Sequence, residues 1–385
     1  MAEINDSHQW EIQQALTKIR SENPRERSIA VEQLGNLRTG LSDIQLATTD
    51  RNGYVRAAAA KALASFQLKD VALYLGDLLW DANPFVRSAA IRSLGRLKAI
   101  EYTDHIMDSL TDRNPYIRAA VLRALGDLQA PEAAEALVTA LKDPHRKVRL
   151  DAARGLRQLA DPQALPMMEE TLEEAMQQPR LDLPFLNTLI QAMANCGAPE
   201  QTGPLLVRLL QETVGCRTVA ARALRTLHYE GSRSALVRAL TDRNPNLRLA
   251  ALQALSELGA EPSLPAIRML LEDEDSRVQR VVCQCLAKAG DMNALPFLRE
   301  MAFSPNPFLR PRAIESMAIL DPEGSRSILL ELLHDNNVAV RTAATEALVP
   351  YIHEPDARQA LEQAQAQEVT IRLRARLTAL LTNSH

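Results

Sequence analysis

Hydrophobic and small residues recur along this chain at a spacing typical of helices. Counted from an arginine that opens each copy of the pattern, the third, fourth and seventh positions are apolar, as in Ala90, Ile91 and Leu94 after Arg87. At about 100° per residue these positions share one side of a helix, so they predict a buried stripe. The sixth position is nearly always small, which predicts close contact with a neighbouring helix. It holds Ala62, Ser93, Ala124, Gly155, Ala192, Ala223 and Ala254.

The pattern belongs to a repeat with a fixed period of 31 residues, which is the distance from Arg56 to Arg87 and again from Arg87 to Arg118. Twelve copies can be counted, and the frame continues at Leu186 and Gln279, where the arginine is missing. Two helices of about 11–12 residues and two short turns would fill this length, and a fixed period of this kind is the signature of a solenoid. The sequence therefore predicts an all-α fold, an α-solenoid (superhelix) of about twelve helix pairs. The repeat arginines are Arg27, Arg56, Arg87, Arg118, Arg149, Arg217, Arg248, Arg310, Arg341 and Arg372.

A turn of the form Asp-x-Asn-Pro precedes the second helix of several repeats, as at Asp81 and Asn83. An Asn or Asp there can accept hydrogen bonds from the free N–H groups that open the helix, and Pro suits the first helical position. The aspartate lies six residues before the repeat arginine. It could pair with the arginine of its own repeat or with that of the next repeat, and either arrangement predicts a ladder of ion pairs along the stack.

One segment departs from the period. Six extra residues separate Arg149 from Leu186, and both ladder residues are missing at this point. We expect a softer or re-angled joint here. The predicted organisation is N-terminal repeats in residues 1–165, an irregular longer joint in 166–185, and C-terminal repeats in 186–385, within one continuous solenoid.

The sequence of the repeat resembles that of a known family. The Asp-x4-[Val/Leu/Ile]-Arg spacing is similar to HEAT repeats, and the sequence of residues 81–95 looks more specifically like the short HEAT-like repeats of the phycobilisome lyase type. The resemblance covers about residues 8–381. It implies an α-solenoid, and relatives include chromophore lyases, antenna-degradation adaptors, assembly factors and scaffolds. Related solenoids include a metal-dependent hydroxylase and DNA-alkylation glycosylases. No catalytic motif of these proteins can be placed on this sequence.

The charge and composition of the chain reduce the number of possible functions further. The net charge is −4, so bulk electrostatics do not favour nucleic acid or an anionic membrane. No apolar run is long enough to span a membrane, and the N-terminus lacks the regions of a signal peptide. The four cysteines show no framework spacing, which favours a reducing, cytoplasmic setting.

No motif for catalysis or metal binding is present. Cys283 and Cys285 form the closest cysteine pair, but both occupy helix positions that predict burial. His353-Glu354 is the single His-Glu pair, whereas a di-iron hydroxylase needs several. We therefore expect no catalytic residues, no metal and no cofactor. If the protein were an enzyme, the resemblance would imply a phycobiliprotein lyase-like activity.

Cations recur at the fifth position after the repeat arginine, opposite the predicted core stripe. We call these residues the cation row. In HEAT-like solenoids the second helix usually lines the concave surface, so the row should face a partner there, although a merely solvated helix face would have the same composition. Later repeats carry Gln or Glu at this position. The row consists of Lys61, Arg92, Arg123, Arg154 and Arg222.

An aromatic residue lies two positions before the repeat arginine in three consecutive repeats. These residues, the aromatic row, are Tyr54, Phe85 and Tyr116. They either cap the groove between helices or form an exposed ridge, and exposed aromatic residues often dominate binding energy.

The sequence favours a non-enzymatic function. We predict a protein-binding scaffold or chaperone-like adaptor that holds a partner with an acidic segment on its concave face, through the cation row and the aromatic row. A second hypothesis is a bilin lyase-like or antenna-protein assembly factor, in which the cations pair with a bilin's propionates or with a phycobiliprotein. A third is a nucleic-acid-binding solenoid, against which the net charge and the scarcity of aromatic residues both stand.

Overall fold

The computed structural model describes residues 2–212 and 215–382, and all regular elements in these ranges are helical. They form twelve helix pairs, which confirms the predicted all-α solenoid of HEAT-like repeats. The chain divides into two compact units, Met1–Ala198 and Pro199–His385, with six helix pairs each.

The first unit contains helices α1 to α12. Odd numbers are the first helices of the repeats and even numbers the second helices. Their bounds are α1 Ala2–Lys18, α2 Pro24–Asn36, α3 Leu41–Ala47, α4 Gly53–Leu63, α5 Val71–Asp77, α6 Pro84–Leu97, α7 Thr103–Met107, α8 Pro115–Leu128, α9 Ala134–Thr139, α10 Arg146–Leu159, α11 Leu165–Met176 and α12 Leu183–Asn195.

The second unit contains helices α13 to α24, numbered in the same way. Their bounds are α13 Pro199–Glu212, α14 Arg217–Leu227, α15 Arg233–Ala239, α16 Pro245–Glu257, α17 Leu264–Arg268, α18 Ser276–Lys288, α19 Leu295–Met301, α20 Arg310–Leu320, α21 Pro322–Leu332, α22 Val338–Leu348, α23 Pro355–Gln367 and α24 Ile371–Thr382.

The second helices begin as the turn sequence predicts. In α6, Asn83 is the N-cap, its side-chain oxygen accepts a hydrogen bond of 2.9 Å from the Phe85 N–H, and Pro84 occupies the first helical position. These helices run for 11–14 residues, so several are slightly longer than the predicted 11–12. The first helices of repeats 2–5 and 8–10 are shorter, at five to seven residues, and several end in a 3₁₀ turn such as Leu78–Trp80. A 3₁₀ turn tightens the helix end before the aspartate, so part of the expected α-helix is replaced.

Neighbouring second helices pack side by side within each unit. The predicted apolar stripe is confirmed, because Ala90, Ile91 and Leu94 are completely buried. The small sixth position is also confirmed as a contact point. A Cβ atom added at Gly95 would lie 2.7 Å from the Cα of Ala124 in the next repeat, so this pair of helices approaches too closely for a larger residue.

At eight steps between repeats, an ion pair of the ladder connects one repeat to the next. The Arg118 guanidinium donates to both carboxylate oxygens of Asp143 at 2.9 and 3.1 Å, and to the backbone carbonyl of Asp112 in its own repeat at 2.7 Å. The predicted ladder therefore forms, but each of its aspartates pairs with the arginine of the preceding repeat, and not with that of its own repeat or of the next one as the sequence predicted. The rungs of this type are Arg27–Asp50, Arg56–Asp81, Arg87–Asp112, Arg118–Asp143, Arg217–Asp242, Arg248–Asp273, Arg310–Asp335 and Arg341–Glu368.

The joint at residues 166–185 contains a displaced rung. Asp182 accepts from Arg146 at 2.6 Å and caps α12 through the Phe185 N–H. The expectation that both ladder residues are missing was therefore wrong for the carboxylate, which the insertion moves out of frame. Arg149 instead donates to the Asp143 carbonyl, and its guanidinium lies 5.9 Å from the centroid of the Phe185 ring.

A second irregular rung lies between repeats 9 and 10. Gln279 stands in place of the arginine and donates to the Leu271 carbonyl at 2.8 Å. Ser304 stands in place of the aspartate and accepts from the Asn306 N–H at 3.2 Å. Each residue bonds to nearby backbone, but no ion pair joins the two positions.

All four cysteines are buried free thiols. Burial raises the pKa of Cys283 to about 12 and that of Cys196 to about 11, so both favour the unreactive thiol form. Within residues 2–212 and 215–382, no group of three or more His, Cys, Asp or Glu residues could hold a metal ion. No helix in the same ranges is long and apolar enough to cross a bilayer.

Candidate functional site

The structure brings four members of the cation row onto adjacent helices of the first unit. Lys61 lies on α4, Arg92 on α6, Arg123 on α8 and Arg154 on α10, and each of these helices packs against the next. Arg222 is exposed on α14 in the second unit. The candidate site therefore concerns the four residues of the first unit.

The centre of the row holds positive charge that no carboxylate compensates. Arg92 and Arg123 are exposed, and within the described ranges neither forms an ion pair. Partial desolvation is the main cause that lowers the pKa of Arg92, and the nearby guanidinium groups of Arg123 and Arg96 lower it further. Lys61 is 3.9 Å from Glu32 with both side chains exposed, an arrangement that contributes little. Two adjacent arginines held without a counterion give this part of the surface a positive potential.

Arg154 differs from the other members of the row. Its guanidinium lies 2.7 Å from Asp151, whose other oxygen is 2.5 Å from Lys147. Asp151 is 2% exposed, so one buried carboxylate forms ion pairs with two cations. Sequence reasoning missed this neutralising residue, although the i,i+3 and i,i+4 spacing of the three residues on α10 was visible.

The aromatic row is exposed and lies on the same side of the second helices as the cation row. Tyr54, Phe85 and Tyr116 are 63–67% exposed, which fits the ridge and does not fit buried caps. Tyr54 and Phe85 stack with ring centroids 6.3 Å apart, and Tyr116 meets His145 edge-on at 5.8 Å. Each aromatic residue precedes its cation by seven positions, which is about two helical turns and leaves the two residues within roughly 20° of each other.

A groove that sequence reasoning missed runs along the C-terminal ends of the second helices in the first unit. Its volume is about 790 Å³. Four cations line it, and none of them forms an ion pair with a carboxylate among the described residues. Asp127, the single carboxylate of the lining, accepts from the Gln158 amide at 2.8 Å. The four cations of this helix-end groove are Arg38, Arg96, Lys98 and Arg157.

Several groove residues occupy strained backbone positions. Arg38, Gln67, Lys98 and Gln129 have φ of 51–56°, the left-handed region. Such a conformation costs about 1–2 kcal/mol per residue when a Cβ is present. Repeats 6, 8 and 9 place glycine at the equivalent position, which would have signalled this feature in the sequence. The three glycines are Gly197, Gly259 and Gly290. Repeats 1–4 thus keep long polar side chains where glycine would be less strained.

Comparison with known proteins identifies the family. The family model described as HEAT repeats matches residues 12–95, 41–113, 103–180, 204–277 and 265–349, which together span most of the chain. The chain belongs to the HEAT-repeat family. No curated protein sequence matches it.

Several solved structures are similar to this HEAT-repeat protein. A complex of Kap95 with Nup1 matches with a TM-score of 0.61 at 10% identity, covering 100% of this chain and 62% of the other. The karyopherin Kap121p bound to the extreme C-terminus of the protein phosphatase Cdc14p matches with a TM-score of 0.55 at 16% identity, covering 98% and 50%. The CpcE–CpcF complex of phycocyanin lyase from Nostoc sp. PCC7120 is 23% identical, covers 65% and 94%, and has a TM-score of 0.39.

Repeats 8–11 of the HEAT-repeat protein have a different charge at the fifth position. Gln253, Gln284, Glu315 and Glu346 stand where the first unit has cations. The two carboxylates are paired, since Glu315 is 2.5 Å from Arg312 and Glu346 is 2.8 Å from Arg376. The bond with Arg376 lowers the pKa of Glu346. The uncompensated cations at this helix position in repeats 3 and 4 therefore have no counterpart in repeats 8–11.

Proposed function

We propose that this HEAT-repeat protein is a non-enzymatic scaffold or chaperone-like adaptor that binds an acidic segment of a partner protein. The binding surface is the solvent-facing side of the second helices in the first unit. It consists of the cation row on α4, α6 and α8, the aromatic row two turns away, and the helix-end groove. In HEAT-like solenoids this side is usually the concave one. We also propose a cytoplasmic setting, because the four cysteines are free thiols.

One observation carries the proposal, namely the uncompensated pair Arg92 and Arg123. Two like charges held side by side repel, and Arg96 adds a third. An anionic guest would relieve this repulsion and restore the pKa of Arg92 towards its ordinary value. The structurally similar Kap95 is described in a complex with Nup1, and the karyopherin Kap121p is described as bound to the extreme C-terminus of the protein phosphatase Cdc14p. Such complexes support a protein partner as the guest here.

The mixture of residues on this surface also suits a peptide chain. Exposed aromatic side chains can bury apolar groups of a partner, while cations select its carboxylates. The adjacent groove adds amides, such as Gln67 and Gln129, which can donate to and accept from a peptide backbone. A partner segment that alternates acidic and apolar residues would use both rows at once.

The test is binding of a labelled twelve-residue oligo-glutamate peptide, measured by fluorescence anisotropy at low and moderate salt. The double variant R92E/R123E should weaken binding at least tenfold without changing the unfolding midpoint, because exposed charges contribute little to stability. Arg154 is left intact, since reversing it would place a carboxylate beside buried Asp151.

The matched control is R51E/R113E, which makes the same change in charge at exposed turn residues of the same unit. It should bind the peptide as the wild type does. The two other hypotheses from the sequence give different outcomes. Binding of a bilin with a shifted absorbance spectrum would support the lyase-like function, and tight binding of a single-stranded DNA with little binding of oligo-glutamate would support the nucleic-acid one. Equal losses in both double variants would refute a specific site at Arg92 and Arg123.

A further inference from the structure

A pocket of about 430 Å³ lies in the second unit where the ladder is interrupted between repeats 9 and 10. Gln279 and Ser304, the two residues that replace the ion pair, are part of its wall. The rest of the lining is mainly apolar and includes Phe297, Met301 and Phe303. We call this site the Phe297 pocket.

The equivalent groove between repeats 4 and 5 has a different lining. There the intact rung Arg118–Asp143 forms part of the wall. When the two grooves are aligned by their repeat frame, Phe297 stands at the position of Ala136, Met301 at that of Ala140, and Phe303 at that of Lys142. The same alignment places Gln279 and Ser304 at the positions of Arg118 and Asp143. Five positions that are charged or small in the groove between repeats 4 and 5 are therefore either neutral, or large and apolar, in the groove between repeats 9 and 10.

These changes leave apolar surface uncovered. Phe297 is 44% exposed and Phe303 is 49% exposed, although both belong to the same concave site. Loss of the ion pair removes two charges that would have had to be desolvated by an apolar guest. A concave, mainly apolar site with a few polar groups is the usual form of a binding pocket.

The charge of the pocket indicates the kind of guest. Glu272 and Glu300 belong to the lining, where repeats 4 and 5 have Thr111 and Thr139. Both carboxylates are exposed, neither forms an ion pair within the described ranges, and the lining contains no cation. An apolar side chain in the pocket would therefore be favoured if a positive charge lay beside it.

We propose that the Phe297 pocket binds a large apolar side chain of a partner protein, from a segment in which lysine or arginine flanks that residue. The side chain packs between the two phenylalanines, and the flanking cations meet Glu272 and Glu300. This site is independent of the proposed acidic-segment surface, since it lies in the other unit and selects the opposite charge.

The probe is a labelled peptide with a central Leu-Phe-Leu flanked by two lysines on each side. Two matched peptides replace the lysines with glutamates, or the three apolar residues with serines. Anisotropy should show binding of the lysine peptide to the wild type, and at least tenfold weaker binding of both matched peptides. Equal binding of all three peptides would overturn the proposal.

The most informative variant is Q279R/S304D, which rebuilds the rung found at residues 118 and 143. It should raise the unfolding midpoint and weaken binding of the lysine peptide at least tenfold, because the ion pair fills the wall of the pocket. A rise in stability with unchanged binding would overturn the proposal. The matched control is F308A, which removes an 82% exposed phenylalanine that is not part of the lining and should leave binding unchanged.

A second variant keeps the test decisive if the rebuilt rung fails to form. E272T/E300T gives the pocket the threonines of the equivalent groove and changes only exposed side chains. Binding of the lysine peptide should fall about three- to tenfold, and the preference for lysine over glutamate flanks should disappear. Retention of that preference would contradict the assigned role of the two carboxylates.

Discussion

The substitution Arg118→Ala tests the ladder, which we regard as the main link between repeats besides the apolar core. Arg118 forms two hydrogen bonds with Asp143 and one with the Asp112 carbonyl. Its side chain is 18% exposed and that of Asp143 is 13% exposed. The variant leaves the carboxylate with the His145 N–H as a partner and leaves the carbonyl without the guanidinium.

The expected loss of stability follows from these contacts. Breaking hydrogen bonds to a charged group costs about 1.5–3 kcal/mol, and partial exposure of both partners lowers the cost towards the middle of that range. We therefore expect the free energy of unfolding to fall by about 2 kcal/mol. In a repeat protein the effect should be concentrated in repeats 4 and 5, because each repeat contacts only its neighbours.

The pH dependence gives an independent check. Burial alone would raise the pKa of Asp143, but the hydrogen bonds from Arg118 and the His145 N–H outweigh it, so the pKa is lowered from 3.8. A lowered carboxylate pKa contributes stability that is complete above the unfolded-state pKa and is lost as the pH falls through the folded-state pKa. The difference between wild type and R118A should thus be largest near neutral pH and should shrink below about pH 4.

The assay is urea unfolding followed by circular dichroism, with amide hydrogen exchange to locate the effect. Arg149→Ala serves as the matched control, because Arg149 donates to the Asp143 and Pro144 carbonyls but forms no ion pair within the described ranges. It should cost about half as much. If R118A unfolds at the same urea concentration as the wild type, or if the two variants lose equal stability, the ion pair does not link the repeats as described.

Three further predictions concern other parts of the chain. Residues 166–185 should show the fastest amide exchange within the helices of the first unit, since their displaced rung is more exposed than the others; protection equal to that of α6 and α8 would contradict this. Lys98→Gly should raise the unfolding midpoint by relieving the left-handed strain and should weaken oligo-glutamate binding about threefold, and a lower midpoint would show that strain is not the dominant effect. Hydrogen bonding from Arg341, which outweighs burial, lowers the pKa of Glu368 to about 2. Stability contributed by Glu368 should therefore be complete above about pH 4.5 and disappear as the pH falls towards 2, which acid titrations of wild type and E368Q can compare.

The sequence predicted the fold well because the features that determine it are local and repeated. The apolar stripe around Ile91, the small residue at Ala124 and the Asn83 cap each follow from one repeat, and the period shows that they recur. The partner of each ladder arginine could not be chosen in this way, since one aspartate precedes the arginine in its own repeat and another follows it in the next repeat. Only the packing of one repeat against the next selects the second.

The candidate site was less accessible to sequence reasoning. The frame located the cation row and the aromatic row, but it treated Arg154 as equivalent to Arg92. Whether a cation is free depends on neighbours outside the repeat pattern, and Asp151 is such a neighbour. The helix-end groove was not predicted, because the residues at its left-handed positions share a backbone conformation and not a residue type. The Phe297 pocket depends on five substitutions that become related only when two repeats are superimposed.

Zero-length cross-linking tests the proposed binding surface most directly. A carbodiimide joins a carboxylate of the bound oligo-glutamate peptide to a lysine in contact with it, and mass spectrometry then identifies the lysine. Lys61 belongs to the cation row and Lys98 to the helix-end groove, whereas Lys69, Lys142 and Lys288 serve as internal controls elsewhere in the chain. We predict cross-links at Lys61 and Lys98 that disappear in R92E/R123E. Cross-links concentrated at Lys288, or spread evenly over these five of the chain's lysines, would contradict a binding surface on the second helices of the first unit.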